Sequence, residues 1–253
     1  MPIIQSVERA LKILDLFDEH KSELKITEIS EMMGLHKSTV HSLLKTLQVH
    51  SYIDQNPEDG KYRLGLKLAE RGNLVINNMD IRRTARKYLL DLSAKTGQTV
   101  HLGILDGREG VYIDKVEGEQ SIIRYSRIGR RLPLHSTAIG KVLLAYQPLN
   151  EIELLLKDYE FQYQTNSTIM NEDIFRKEIG KVKQQGFAVD DQENEQGVRC
   201  AAVPIFNGKG HVLAAISIST LISRVNDEEM NNFVHLLKTS CNELSEQMRY
   251  VNE

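Results

Sequence analysis

Apolar residues recur at helical spacing in three short segments near the amino end of the chain. Residues 6–17 predict a first helix with an apolar stripe of Val7, Ala10, Leu11, Leu14 and Phe17. A second helix is predicted over 27–33, and Gly34 can end it in the left-handed conformation that glycine permits. From His36 onward the spacing is i, i+3, i+4, i+7, as in a helix packed on one face.

Two short extended segments, 52–54 and 62–64, follow the third helix, and turn residues such as Pro57 and Gly60 join them. This pattern predicts a β-hairpin. Three helices with a glycine turn between the second and third, followed by a hairpin, form the winged helix-turn-helix layout, whose third helix enters the DNA major groove. Residues 1–66 are therefore interpreted as a DNA-binding domain.

Helical spacing continues over 66–78 and 81–95, and residues 67–96 are interpreted as a helical linker. One face of its second half is an apolar stripe that could pack on its own domain or on a partner chain: Ala85, Tyr88, Leu89 and Leu92. Reading two half-sites on DNA favours a homodimer or a dimer of dimers.

Short β-rich runs over 100–105, 111–116 and 121–125 then predict an antiparallel meander. Helices are predicted over 138–145, 149–157, 172–185 and 227–250, with a strand pair before the last of them. Residues 97–253 are thus expected to form a second, α+β domain.

The charge balance limits how this chain could bind a polyanion such as DNA. The 253 residues carry 32 Lys plus Arg against 35 Asp plus Glu, so DNA affinity requires a local basic surface rather than a global field. No apolar run is long enough for a membrane helix, which predicts a cytoplasmic protein without a membrane partner. The two cysteines, Cys200 and Cys241, are expected to be reduced thiols.

The outward face of the third helix has cationic and hydroxyl side chains and no carboxylate. Hydroxyls and lysines can hold phosphates, whereas His41 could reach a base edge. The alternative is a solvated helical face without a partner. The predicted contacts to double-stranded DNA, including two on the hairpin, are Lys37, Ser38, Thr39, His41, Ser42, Lys45, Lys61 and Arg63.

A ligand pocket is predicted in the second domain. Strand alternation places Leu213, Ala215, Ser217 and Ser219 on the face opposite Val212 and Ile216, and Cys200 beside small residues on the neighbouring strand. Amides at the helix start that includes Ala138, Ile139 and Gly140 could hold the carboxylate of a small organic acid. Asp190 would orient a ligand rather than pair with its charge.

Two other functions compete with ligand sensing. In one, Cys200 is the nucleophile of a thiol-dependent enzyme, but alternation turns Arg199 to the other strand face and no histidine partner is evident. In the other, the second domain only oligomerises. We expect no enzyme activity, cofactor or metal site, and interpret His101 and His135 as structural histidines.

Five segments together carry a resemblance to a known family: "ERALKIL", "GLHKSTVHSLLKTL", "YRLGLKL", "RRLPLHSTAIGKVLLA", and "DDQENEQGVRCAAVPIF" followed by "LAAISIS". In this order they resemble the IclR family of bacterial transcriptional regulators over nearly the whole chain. The resemblance implies an α+β protein in which a helix joins a winged helix-turn-helix to a GAF-like effector-binding domain. It further implies a dimer or a dimer of dimers whose DNA binding is altered by small carboxylic acids or aromatic metabolites. We expect a palindromic operator and regulation as a repressor, with activation as the alternative.

The resemblance also implies effector contacts in this chain. By matching motifs, they are Tyr125, Ala138, Ile139, Asp190, Cys200, Ser217 and Ser219. The sequence departs from the family pattern at His36, where proline is frequent, and at Ser42, where arginine is frequent. Ile139 is bulkier than the expected alanine or threonine, which implies a smaller or differently shaped effector.

Overall fold

The computed structural model describes residues 2–18, 20–119 and 126–249, and the chain divides into two compact units, Met1–Asn78 and Met79–Glu253. The predicted linker 67–96 is split between them, because its first helix belongs to the first unit and its second helix to the second unit. The predicted strand 121–125, including Tyr125, lies outside the described residues.

The first unit has the predicted order of helices and hairpin. Its elements are α1 (Gln5–Leu14), α2 (Ile26–Met33), α3 (Lys37–Val49), β1 (Ile53–Gln55), β2 (Tyr62–Leu64) and α4 (Lys67–Asn77). Strands β1 and β2 pair antiparallel, which confirms the hairpin. One apolar cluster joins α1, α2, α3 and the hairpin, and its buried members include Ile13, Ile29, Val40, Leu44 and Ile53.

The stripe predicted on α1 is only partly correct. Phe17 is buried, but Val7 and Leu11 are 53% and 57% exposed, and Ile13, absent from the prediction, is completely buried. Helix α1 ends at Leu14 rather than at residue 17, so Phe17 lies beyond the helix, and the buried side of α1 is the one that carries Ile13.

Gly34 ends α2 as predicted, with φ at 61°. Its N–H donates to the carbonyl of Glu31, and the hydroxyl of Ser30 donates to the carbonyl of Leu35 at 2.5 Å. This compact left-handed cap turns the chain within three residues into α3.

The second unit is an α+β domain. Its elements are α5 (Asp80–Thr96), β3 (Thr99–Asp106), β4 (Glu109–Val116), β5 (Arg131–Leu132), α6 (Ala138–Ala145), α7 (Leu149–Leu156), α8 (Glu172–Gln185), β6 (Ala188–Asp191), β7 (Val198–Phe206), β8 (Val212–Leu221) and α9 (Asp227–Met248). The helix predictions are confirmed to within two residues at each end, whereas β5 and β6 are short strands that the apolar pattern did not predict.

An antiparallel six-stranded sheet organises this unit in the order β5-β4-β3-β8-β7-β6. Large aliphatic residues such as Leu102, Ile216 and Ile218 face α5 and α9 on one side. The stripe on α5 packs into this same cluster, so it serves its own domain. On the other side, small residues such as Ala202 and Ala215 face α6, α7 and α8.

The alternation predicted for β8 holds from Ala214 to Ser219 but is wrong for Val212 and Leu213. The register with β7 shifts between Ile205 and Phe206, so that Phe206 pairs with Val212. As a result Val212 packs with the α6 side and Leu213 with the α9 side. A β-bulge adds one residue to a strand and thereby reverses the faces beyond it.

Candidate functional site

The α3 surface, defined as the outward face of α3, presents the predicted basic and hydroxyl side chains to solvent. Lys37, Ser38, His41, Ser42 and Lys45 are exposed, while Thr39 is half-buried. The opposite face is anchored by Val40 and Leu44, which are completely buried. Core packing thus fixes which side of the helix can meet a partner.

The two hairpin cations lie in exposed ion pairs. Lys61 Nζ is 3.3 Å from Asp59 Oδ2, and an Arg63 guanidinium nitrogen is 3.9 Å from Glu23 Oε1. Exposed pairs of this kind contribute about 0–1 kcal/mol, so they leave both side chains able to exchange a carboxylate for a phosphate.

In the second unit, strand register brings the predicted pocket residues together. Asp190 pairs with Cys200, and Cys200 pairs with Ser219, so the three lie in one line across β6, β7 and β8. Ser217 pairs with Ala202 on one side and with His101 of β3 on the other. Directly paired antiparallel residues share a face, and all of these residues except Ala202 line one cavity.

The start of α6 forms the opposite wall of the cavity, through Thr137, Ala138 and Ile139. Thr137 caps the helix by accepting from the N–H of Gly140 at 3.0 Å, so the Gly140 amide included in the predicted anion site is already used. The Ile139 side chain packs over Gly103, where an added Cβ would lie 2.8 Å from Ile139 Cγ2. A glycine on β3 thus makes room for the bulkier residue.

The cavity residues that were not predicted as ligand contacts include His101, Tyr112 and Arg130. His101 is 1% exposed and its ring stacks on that of Tyr112, with centroids 4.4 Å apart. Its Nε2 atom has no hydrogen-bond partner among the described residues, so the interpretation as a satisfied structural histidine is wrong. Burial lowers the pKa of His101 to about 3 and keeps the ring neutral.

His135, by contrast, is satisfied, as predicted. Its Nδ1 lies 3.0 Å from the hydroxyl of Tyr159, and its Nε2 lies 3.0 Å from the carbonyl oxygen of Gln162. Burial lowers its pKa as well. Both ring nitrogens are occupied within the fold, which leaves this histidine a structural role.

Asp190 is a buried carboxyl whose protonation changes near neutral pH. Burial raises its pKa to about 7, and the nearby Glu193 acts in the same direction. Two backbone N–H groups, of Glu193 and Asn194, donate to its Oδ1 at 2.7 and 3.3 Å and partly oppose that shift. The carboxyl can therefore serve a ligand as an acid or as a carboxylate.

Lys141 of α6, which is completely buried, fixes the loop that follows Asp190. Its ammonium donates to Glu193 Oε1 at 2.6 Å and to the carbonyl of Val189 at 2.9 Å, with Glu178 at 3.6 Å. The hydroxyl of Ser136 also reaches this loop, donating to Asn194 Oδ1 at 3.1 Å. These contacts join the helix wall of the cavity to the end of β6.

Cys200 lacks the features of a nucleophile. Burial raises the pKa of its thiol, Asp190 raises it further, and its Sγ donates to Ser219 Oγ at 3.1 Å. Arg199 points to the other sheet face, as predicted, where it pairs with Asp227 at 2.5 Å. A nucleophilic thiol requires a lowered pKa instead. Within the described residues, no group of three or more His, Cys, Asp and Glu side chains could hold a metal ion.

The cavity between the sheet and α6 is small, with a volume of about 30 Å³. A cavity needs about 10–15 Å³ to hold one water molecule, so there is room for about two. An organic ligand must therefore displace part of the wall.

The helices of the described residues are all too short or too polar to span a membrane.

Comparison with known families accounts for both units. Residues 6–57 match the IclR helix-turn-helix domain, and residues 73–246 match the model described as bacterial transcriptional regulator IclR C-terminal. Together the two matches span α1 to β1 and nearly all of the second unit.

Relatives match along the full length. The HTH-type transcriptional regulator XynR of Escherichia coli is 58% identical over 250 residues, covering 99% of both chains. KdgR of Dickeya chrysanthemi is 40% identical over 98% of this chain and 81% of its own. The crystal structure of Thermotoga maritima IclR matches 97% of this chain and 99% of its own, with a TM-score of 0.78 and 36% identity.

We predict that Lys141→Met will lower the free energy of unfolding by about 3–5 kcal/mol, because it leaves Glu193 buried without its cation. Urea unfolding followed by circular dichroism measures the change. Lys181→Met is the matched control, since its side chain is 70% exposed and meets Glu178 only at 3.5 Å. Equal stabilities of the two variants would contradict the importance of the buried pair.

Proposed function

Because the chain belongs to the IclR family of bacterial transcriptional regulators, we propose that its α3 surface binds operator DNA and that the cavity beside α6 binds the effector. It is a ligand-responsive DNA-binding regulator and not an enzyme. The observation that carries the assignment of the cavity is the convergence of Asp190, Cys200, Ser217 and Ser219 with the start of α6.

On DNA, α3 enters the major groove with its amino-terminal turns against the base edges. Lys37 and Lys45 neutralise phosphates, Ser38, Thr39 and Ser42 donate to phosphate oxygens, and His41 meets a base edge. Lys61 and Arg63 on the hairpin contact the flanking backbone. Position 42 is a serine where the family often has an arginine, so lysine and hydroxyl contacts are the main source of DNA affinity.

We further propose a homodimer or dimer of dimers on a palindromic operator in the cytoplasm. A single helix-turn-helix reads only one half-site, and a two-fold protein matches a two-fold DNA site. The named relatives include the Escherichia coli transcriptional repressor IclR, which supports repression as the mode of action.

The proposed effector is a small organic acid. Its carboxylate would lie at the start of α6, on the amides of Ala138 and Ile139, where the helix dipole favours an anion. Arg130 adds a cationic side chain to the same cavity. Ser217, Ser219 and Cys200 meet the remaining atoms from the sheet. Tyr125, outside the described residues, stays a proposed contact on the family resemblance alone.

Signalling would follow from the limited space. A ligand larger than two waters must displace α6 or the loop after Asp190 relative to the sheet, so it stabilises a state with a wider cavity. The resulting coupling to DNA affinity is expected to be about 1–3 kcal/mol. A scaffold whose second unit merely oligomerises would not require polar side chains such as Asp190 and His101 around a cavity.

Operator binding by the α3 surface predicts different effects for two substitutions. Lys45→Ala should weaken all DNA sequences alike and reduce the slope of log affinity against log salt by about one. His41→Ala should instead change sequence preference. Fluorescence anisotropy with the upstream region of the protein's own gene and a scrambled duplex measures both.

Lys12→Ala is the control for charge, because Lys12 lies on α1 and pairs with Glu8. Failure of the unaltered protein to form a specific complex with this region at any salt concentration would contradict this choice of operator. A uniform loss for His41→Ala would contradict its contact to a base.

A thermal-shift screen of small organic acids tests the cavity, because a ligand that binds the folded state raises the melting temperature. For an acid that raises it, Ser217→Ala should abolish acid-induced DNA release and retain operator binding. Ser223→Ala, at an exposed site outside the cavity, should behave as wild type. If the acid still releases DNA from the Ser217→Ala variant as it does from wild type, the cavity has no sensing role.

Asp190 predicts a pH dependence of effector affinity. Its pKa of about 7 means that it is largely neutral below that pH and anionic above it, where it repels a carboxylate ligand. Affinity should therefore fall as pH rises, by up to about tenfold per pH unit. Calorimetry between about pH 6 and pH 8 should show this fall in wild type and a flatter profile in Asp190→Asn, and a constant wild-type affinity would refute it.

A further inference from the structure

The loop between β6 and β7, residues 192–197, forms part of the cavity wall. Its residues Asn194 and Glu195 line the cavity together with Asp190 of β6. The sequence of the loop, QENEQG, contains no apolar side chain. Polar contacts therefore hold this wall in place, whereas hydrophobic packing holds the other elements of the domain.

Side chains from two other parts of the domain contact the loop. Lys141 of α6 pairs with Glu193, as described above. Two hydroxyls from the segment between α7 and α8 add to this contact, because Thr165 donates to the carbonyl of Gln192 at 2.5 Å and Thr168 donates to the carbonyl of Glu193 at 2.7 Å. Each of these contacts can break without exposing apolar surface to water.

Both ends of the loop have left-handed backbone, with φ at 61° for Gln192 and 79° for Gly197. Glycine adopts this conformation freely, but a residue with a β-carbon does so only at a cost. Polar contacts hold Gln192 there, including the N–H of Gly197, which donates to Gln192 Oε1 at 3.3 Å. Strained residues held by their surroundings are typical of segments that change conformation.

Helix α6, which forms the opposite wall, has none of these properties. All eight of its residues are buried. Its aliphatic side chains, such as Val142 and Leu143, belong to the apolar cluster that includes α7, α8 and one face of the sheet. Displacing α6 would expose this cluster to water, which is far less favourable than breaking the polar contacts of the loop.

We propose that the 192–197 loop is the wall of the cavity that moves, and that Lys141 is the positioning residue that holds it closed through Glu193. This inference rests on the proposed effector site. Opening breaks the Lys141–Glu193 pair and separates the carboxyl of Asp190 from the backbone amides of the loop. Cys200, the cross-strand partner of Asp190, then becomes accessible while α6 stays packed.

The two cysteines of the chain allow a test that needs neither ligand nor DNA. Cys200 lines a cavity with room for about two waters, so N-ethylmaleimide reaches it only when the cavity opens. Cys241 is completely buried in the cluster between the sheet and α9 and reacts only when the domain unfolds. In the full-length protein, mass spectrometry should show Cys200 reacting at least about tenfold faster than Cys241. Low urea should accelerate only Cys241.

Two substitutions distinguish movement of the loop from movement of α6. Lys141→Met should raise the labelling rates of both cysteines, because opening and unfolding each break the pair with Glu193. Val142→Ala, the matched control within α6, should raise the rate of Cys241 and leave that of Cys200 unchanged. The reason is that α6 keeps its packing when only the loop opens.

A milder substitution tests the same contact surface if Lys141→Met does not fold. Ser136→Ala removes the hydroxyl that donates to Asn194 Oδ1 at 3.1 Å. It should raise the labelling rate of Cys200 by about fivefold, the effect of one hydrogen bond.

Three results would overturn the proposal. One is a wild-type Cys200 that follows Cys241 in its urea dependence or reacts like a free thiol. Another is a Cys200 rate unchanged by Ser136→Ala and by a folded Lys141→Met. The third is an equal rise of both cysteines in Val142→Ala, which would assign the movement to α6. Effector binding is measured separately by the thermal-shift screen, so failure of the loop and failure of the effector site are distinguishable.

Discussion

The cavity depends on the antiparallel register of β6, β7 and β8. Pairing of Asp190 with Cys200 and of Cys200 with Ser219 aligns three polar side chains on one face of the sheet, where small residues such as Ala202 and Ala215 lie beside them. A slip of one residue would exchange this face with the aliphatic face that packs against α5 and α9. The same register that builds the core therefore also builds the site.

Without a ligand, this site contains buried polar groups that are unfavourable for the stability of the fold. Asp190 is buried with a raised pKa, Glu193 is buried beside it with its own pKa raised by burial, and the Nε2 atom of His101 has no partner among the described residues. Lys141 compensates one of these charges from within α6. The Nε2 atom of His101 is a group that a polar ligand in the cavity can satisfy, which favours ligand binding over further packing.

Much of this arrangement could be predicted from the sequence. Period-two alternation placed Cys200, Ser217 and Ser219 correctly because those stretches of β7 and β8 are regular. It failed at Val212 and Leu213, where a bulge that depends on pairing with β7 reverses the faces. Local patterns carry no information on such cross-strand irregularities.

Residues that act through distant partners were harder to predict. His101 was interpreted as structural because nothing near it in sequence indicates the stacked Tyr112 or the hydroxyl of Ser219, 118 positions away. Lys141 was likewise missed as a buried cation, since its partner Glu193 is 52 positions away. On α1, helical period alone did not show which side of a broad apolar stripe meets the core. Burial of a polar group is decided by such long-range contacts, and these contacts also make the cavity selective.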